Sequence, residues 1–125
     1  MVNYKGYSSF LFMLIVVCSC GKPLPELKYF NSTVWQEDRK ACGDKRVAML
    51  EAISTQKEKL LSLDELDIVK ILGKPDQNEL YKRNQKFYSY YIHPSKDCDQ
   101  AQTSEPLKLV IRFNAVGLAK EVSVE

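Results

Sequence analysis

Residues 62–76 read Ser-Leu-Asp-Glu-Leu-Asp-Ile-Val-Lys-Ile-Leu-Gly-Lys-Pro-Asp and contain the clearest helix signal in the chain. Ser62 and Glu65 have the spacing of a capping box, in which two side chains satisfy backbone N–H groups of the first helical turn. An apolar stripe at helical spacing follows, made of Leu63, Leu66, Val69 and Leu72, and Gly73 followed by Pro75 ends the helix. After Asp76 the apolar period changes to two, so we expect an α+β protein with its helices first.

Four segments after this helix alternate apolar and polar residues as β-strands do. They are residues 79–82, 86–93, 107–113 and 118–124, the first two joined by a turn at residues 83–85. Such alternation is typical of an antiparallel sheet with one face buried and one face open. We therefore expect two N-terminal helices packed on a three- to four-stranded antiparallel sheet, as a two-layer sandwich.

The first of the two helices is predicted on the N-terminal side of residue 62. Trp35, Cys42 and Met49 recur at close to helical spacing, which indicates one long helix from Thr33 to Ile53 with these side chains on its buried face.

The first twenty residues have the layout of an export signal. Lys5 precedes the apolar residues 10–17, and these eight residues reach about 12 Å along a helix, far less than a bilayer core of about 30 Å. Ser19 before Cys20, with Val17 three positions back, resembles the processing site of bacterial lipoproteins. An ordinary cleaved secretory peptide and an uncleaved N-terminal anchor are the alternatives.

This interpretation divides the chain into three parts. Residues 1–19 form a lipoprotein signal peptide, residues 20–31 the lipidated cysteine and a semi-extended tether, and residues 32–125 the α+β domain. Gly21, where an acidic residue often signals inner-membrane retention, favours an outer-membrane address in the cell envelope.

The four cysteines of the chain then divide by role. Cys18 leaves with the signal peptide and Cys20 carries the lipid, so Cys42 and Cys98 are left in an oxidising compartment. Two leftover cysteines usually pair there, and we expect a disulfide between them. The alternative is one buried apolar thiol and one loop thiol that never meet.

Groups with catalytic chemistry are scarce. His93 is the only histidine of the chain, and it lies at a strand end where surface histidines are common. The run Asp97-Cys98-Asp99 has too few ligands for a metal site. The sequence thus favours a protein that is no enzyme and needs no cofactor or metal. A net charge of only +2, together with export, argues against nucleic acid as a partner.

The run Phe87-Tyr88-Ser89-Tyr90-Tyr91 is the most distinctive candidate for a binding surface. On a strand, one alternating set, with Tyr88 and Tyr90, faces the helices and the other, with Phe87 and Tyr91, faces outward, or the reverse. Exposed aromatic rings suit contact with a protein partner. The predicted partner-binding residues are Tyr81, Phe87, Tyr91 and Arg112. Alternatively, the aromatic residues are cross-strand pairs that stabilise the sheet without any ligand.

Three patterns, together with the export signal, resemble the BamE (SmpA/OmlA-like) family over about residues 61–124. They are Ile71-Leu72-Gly73-Lys74-Pro75-Asp76, Tyr88-x-Tyr90-Tyr91 and Leu109-x-Ile111-x-Phe113-x-x-x-Gly117. The resemblance implies an ααβββ fold and a small lipoprotein of the outer membrane, with a role in outer-membrane assembly or maintenance.

The expected function is therefore that of a membrane-anchored, non-enzymatic module that binds or scaffolds another envelope protein. One alternative is an inhibitor or immunity-type protein that blocks an enzyme with the same sheet face. Another is a carrier of a small hydrophobic ligand, which requires a cavity.

Overall fold

A computed structural model of the chain describes residues 23–99 and 105–125. The predicted signal peptide (1–19) and the predicted lipidation site Cys20 lie outside the described residues. The α-helices are Ser32–Glu37 (α1), Leu50–Thr55 (α2) and Glu65–Leu72 (α3). The strands are Gln77–Tyr81 (β1), Gln85–Tyr91 (β2), Lys108–Phe113 (β3) and Ala119–Val124 (β4).

The four strands form one antiparallel sheet in the order β1-β2-β3-β4. One face of this sheet packs against the helices, and the core lies between the two layers. The largest fully buried apolar side chains are Trp35, Ile53, Leu60, Ile68, Leu72, Tyr90, Ile92, Leu109, Ile111 and Phe113. The prediction of an α+β protein with an antiparallel sheet is confirmed, whereas three α-helices precede the sheet and not the predicted two.

The helix predicted from residues 62–76 is confirmed as α3, but its N-terminal cap is Asp64 and not Ser62. The Asp64 carboxylate accepts a hydrogen bond of 2.8 Å from the backbone N–H of Asp67. At the other end, Gly73 has a φ of 78°, in the left-handed region that glycine tolerates. A Cβ atom there would also lie 2.7 Å from Cγ of Gln36, so the turn into β1 requires a glycine.

The prediction of one continuous helix from Thr33 to Ile53 is wrong. Helix α1 begins at Ser32, with Asn31 as its cap, and ends at Glu37. The buried Asp38 carboxylate then accepts hydrogen bonds from the backbone N–H groups of Gly43 (2.6 Å) and Lys45 (2.9 Å). A side chain that bonds to backbone groups offers the chain an alternative to the helix.

The loop between α1 and α2 moves one predicted core residue to the surface. Trp35, Met49 and Ile53 are buried as expected, whereas Cys42 is exposed. Lys40, Ala41 and Asp44 in this loop have positive φ values, so the local backbone departs from the spacing on which the prediction rested.

A buried ion pair joins this loop to the start of the sheet. Nη1 of Arg46 lies 2.6 Å from Oδ2 of Asp76, and both side chains are fully buried. Arg46 also donates to the carbonyl oxygens of Trp35 (2.9 Å) and Tyr91 (3.0 Å). Asp76 accepts from the backbone N–H groups of Lys40 (3.0 Å) and Tyr91 (2.9 Å). Buried charges require such pairing, and the pair connects α1, the loop and β2.

The predicted disulfide between Cys42 and Cys98 is confirmed. It joins the exposed loop after α1 to the segment that follows β2, across a sequence separation of 56 residues. The backbone N–H of Ser95 donates to the carbonyl oxygen of Lys40 at 3.1 Å, so a hydrogen bond supports the same contact.

The C-terminal part of the predicted tether (20–31) packs against the domain. Leu27 is buried in the core, and the backbone of Lys28 exchanges two hydrogen bonds of 2.7 Å with the Gln56 side chain. The Phe30 ring lies 5.4 Å from that of Trp35. The folded part therefore extends to the N-terminal side of residue 32.

Candidate partner-binding face

The two faces of β2 have the alternation that the sequence predicts. Tyr88, Tyr90 and Ile92 are buried toward the helices. The Tyr90 hydroxyl donates a hydrogen bond of 2.8 Å to the carbonyl oxygen of Gly73, and burial raises the pKa of Tyr90. Phe87 and Tyr91 point to the other face and are half-buried. No helix described in the structure covers that open face, which makes it the candidate for binding.

The strand register aligns the short side chains of Ser89, Val110 and Ser123 in a row across the open face, with Gln77 at the β1 end of the row. Gln77 pairs with Ser89, Ser89 with Val110, and Val110 with Ser123. Longer side chains stand in the rows on both sides: Glu79, Phe87, Arg112 and Glu121 in one, Tyr91 and Lys108 in the other. A low row between two high rows makes a groove that crosses the strands.

The structure contains this groove, which we call the outer groove, with a volume of about 280 Å³. It is lined by Gln77, Glu79, Leu80, Tyr81, Phe87, Ser89, Lys108, Val110 and Glu125. Ser89 and Val110 form the floor, and Ser89 is only 8% exposed although it faces away from the core. The larger neighbouring side chains therefore rise above a closed floor.

Two of the four predicted partner-binding residues lie together in the outer groove. The rings of Tyr81 and Phe87 are 5.4 Å apart with an interplanar angle of 89°, an edge-to-face arrangement that aromatic pairs favour. Tyr81 is 57% exposed. The pair thus offers an accessible aromatic surface.

The other two predicted residues flank the outer groove without lining it. Arg112 pairs with Glu121, with 3.2 Å between Nε and Oε2. The Nζ atom of Lys108 lies 5.3 Å above the Tyr91 ring, within the range of a cation–π interaction. Partial burial, followed by the nearby carboxylate of Asp97, raises the pKa of Tyr91. Arg112 and Tyr91 are thus engaged within the sheet.

The sequence reasoning missed Glu79, Ser89, Lys108 and Val110 as groove residues. The signal that reveals them is the same alternation that identified the aromatic face, applied to all the strands in register. Register depends on long-range pairing, so the row of small residues across three strands is invisible until the strands are aligned.

The side chains on this face are suited to non-covalent binding. The face offers aromatic rings, carboxylates, one lysine ammonium group and small polar side chains. Among residues 23–99 and 105–125, no three side chains of His, Cys, Asp or Glu lie close enough to hold a metal ion.

Comparison with known proteins identifies no relative of this chain. No protein-family model, curated protein or solved structure matches this chain. Within the described ranges, none of the helices has the length and apolar character needed to cross a membrane.

Proposed function

We propose that this protein is a lipid-anchored envelope protein whose α+β domain binds another protein through the open face of its sheet, without catalysis. The observation that carries the proposal is the Tyr81–Phe87 pair beside the outer groove. Large exposed aromatic side chains are enriched at the centres of protein interfaces. Tyr81 is left 57% exposed in the domain, and a partner that covers it gains the burial of apolar area.

The anchor and the address belong to the same proposal. Cys20 carries the lipid, the outer membrane holds the protein, and its role is in outer-membrane assembly or maintenance. The order of helices followed by an antiparallel sheet supports a relation to the BamE (SmpA/OmlA-like) family, although this domain has three α-helices and four strands. Metabolic labelling with a palmitate analogue tests the anchor: the label is expected on the protein and is expected to be lost in Cys20→Ala. A label that survives in Cys20→Ala contradicts it.

Site-specific crosslinking in intact cells tests the binding surface. A photo-crosslinking residue at position 81 is expected to capture a discrete envelope protein, and Phe87→Ala is expected to reduce that product. The matched control places the same residue at Glu51, which is exposed on α2 in the helical layer. Equal products from positions 81 and 51 contradict the proposal. A hydrolase or toxin as the captured protein identifies the inhibitor alternative.

A further inference from the structure

We propose that the outer groove binds an extended peptide segment through a lysine or arginine side chain, whose cation lies between the Glu79 carboxylate and the Tyr81 ring. This inference rests on the proposed function and names the chemistry that the partner presents to the same face.

The position of Glu79 and Tyr81 on β1 defines the cation site. The two residues alternate on one strand, so their side chains rise from the same face about 6.6 Å apart. Both are exposed, and the packing of Tyr81 against Phe87 at 5.4 Å holds the phenol ring in place. A carboxylate beside an aromatic ring attracts a guanidinium or ammonium group by charge and by cation–π interaction.

The charged side chains that line the groove favour a cationic ligand. Glu79 and Glu125 contribute two carboxylates to the lining and Lys108 one ammonium group, although the chain as a whole carries +2. Within the described part of the chain, no ion pair involves Glu79. The nearest cation in its row, Arg112, is two strands or about 10 Å away and is paired with Glu121. The Glu79 carboxylate is therefore available to a ligand.

The shape of the groove favours an extended chain. The rows of Phe87 and Tyr91 are four residues apart on β2, or about 13 Å, and their side chains occupy part of that width. A helix is about 10–12 Å across with its side chains and is too wide, whereas one extended chain fits. Ser89 and Val110 in the floor leave space for one apolar side chain of that ligand.

A polypeptide satisfies these requirements better than other polymers. It supplies a cation for Glu79 and an apolar side chain for the floor within one short segment. Nucleic acid is anionic and is repelled by Glu79 and Glu125, and a neutral glycan leaves the Glu79 carboxylate without a partner.

Selection of displayed random short peptides on the full chain in detergent tests the inference. The expected result is a consensus that contains lysine or arginine next to an apolar residue. Binding of a synthetic consensus peptide is expected to weaken about tenfold or more in Glu79→Gln and in Tyr81→Leu, because each change removes one attraction for the cation. Neither side chain is buried, so both variants are expected to fold, as checked by circular dichroism.

The control is Glu51→Gln, which removes a carboxylate of the same kind from the helical layer and is expected to leave binding unchanged. A consensus without a cation, the absence of a consensus, or equal binding to Glu79→Gln overturns the inference. If crosslinking at position 81 still captures an envelope protein in those cases, the proposed function survives and only the peptide chemistry is wrong.

Discussion

Asp76 and Glu79 are near neighbours in the chain, but one carboxylate is buried and fully bonded within the domain and the other is exposed on the open face of the sheet. The Asp76 side chain is fully buried, pairs with Arg46 at 2.6 Å and accepts two backbone N–H groups. Glu79 lies on the open face beside the outer groove, and none of the ion pairs among the described residues includes it. Burial makes an unpaired charge very costly, whereas an exposed carboxylate stays solvated and is free to meet a ligand.

The largest expected effect separates these two carboxylates directly. Asp76→Ala leaves the Arg46 guanidinium buried without its partner, and the free energy of unfolding is expected to fall by about 3–5 kcal/mol. Glu79→Ala removes a solvated group and is expected to change it by at most about 0.5 kcal/mol. Urea denaturation of both variants measures the difference. Equal losses of stability contradict the contrast between the two faces.

The next effect concerns the disulfide between Cys42 and Cys98, which restrains the loop after α1. The same loop contains Lys40, whose backbone N–H donates to the buried Asp76 carboxylate. Replacing Cys42 and Cys98 by serine removes a link across a sequence separation of 56 residues, and the free energy of unfolding is expected to fall by about 2–4 kcal/mol. Thermal unfolding with and without reductant provides the measurement. If reductant does not lower the unfolding temperature of the wild-type protein, the disulfide contributes nothing to stability.

A smaller effect compares two adjacent tyrosines on opposite faces of β2. Tyr90→Phe removes the hydroxyl that donates to the carbonyl oxygen of Gly73 at 2.8 Å, which is expected to cost about 1–2 kcal/mol of stability. Tyr91→Phe is expected to change stability by at most about 0.5 kcal/mol, because its ring stays beside Lys108. Urea denaturation of the two variants measures the free energy of unfolding of each. A greater loss in Tyr91→Phe than in Tyr90→Phe contradicts the prediction.

The smallest effect is a pH dependence at the protein surface. The hydrogen bond and the charge of Lys40, 2.8 Å away, lower the pKa of Asp97 from its ordinary 3.8. A lowered folded-state pKa stabilises the fold above the unfolded value and loses that contribution as the pH falls through the lower folded value. An NMR titration of the Asp97 carboxyl is expected to show a midpoint below 3.8. Lys40→Met is expected to raise it, and an identical midpoint in Lys40→Met rules out this cause.

Local signals predicted the second half of the fold well. The end of α3 at Gly73 and the alternation in β2 and β3 depend on neighbours within a few residues, which a sequence displays directly. The prediction of a long first helix failed because contacts between distant residues decide the structure there. Asp38 bonds to the N–H groups of Gly43 and Lys45 in a loop held by distant contacts, and helical spacing of apolar residues carries no information about these contacts.

The candidate site was predicted only in part. Exposure of Tyr81 and Phe87 on one face follows from strand alternation, and the structure places their rings together. Glu79, Ser89 and Lys108 come from three different strands. Only the register that pairs Ser89 with both Gln77 and Val110 brings them to one groove.

By itself, the sequence determined the α+β class and the antiparallel sheet, and it predicted the pairing of Cys42 with Cys98. The fold class follows from short-range periodicity, and the pairing was predicted from the expected export of the chain. The tertiary structure alone decided that Arg46 meets Asp76, that the first helix breaks after Glu37, and that small side chains align into a groove. Each of these depends on segments far apart in the chain, where burial and strand register select the partners.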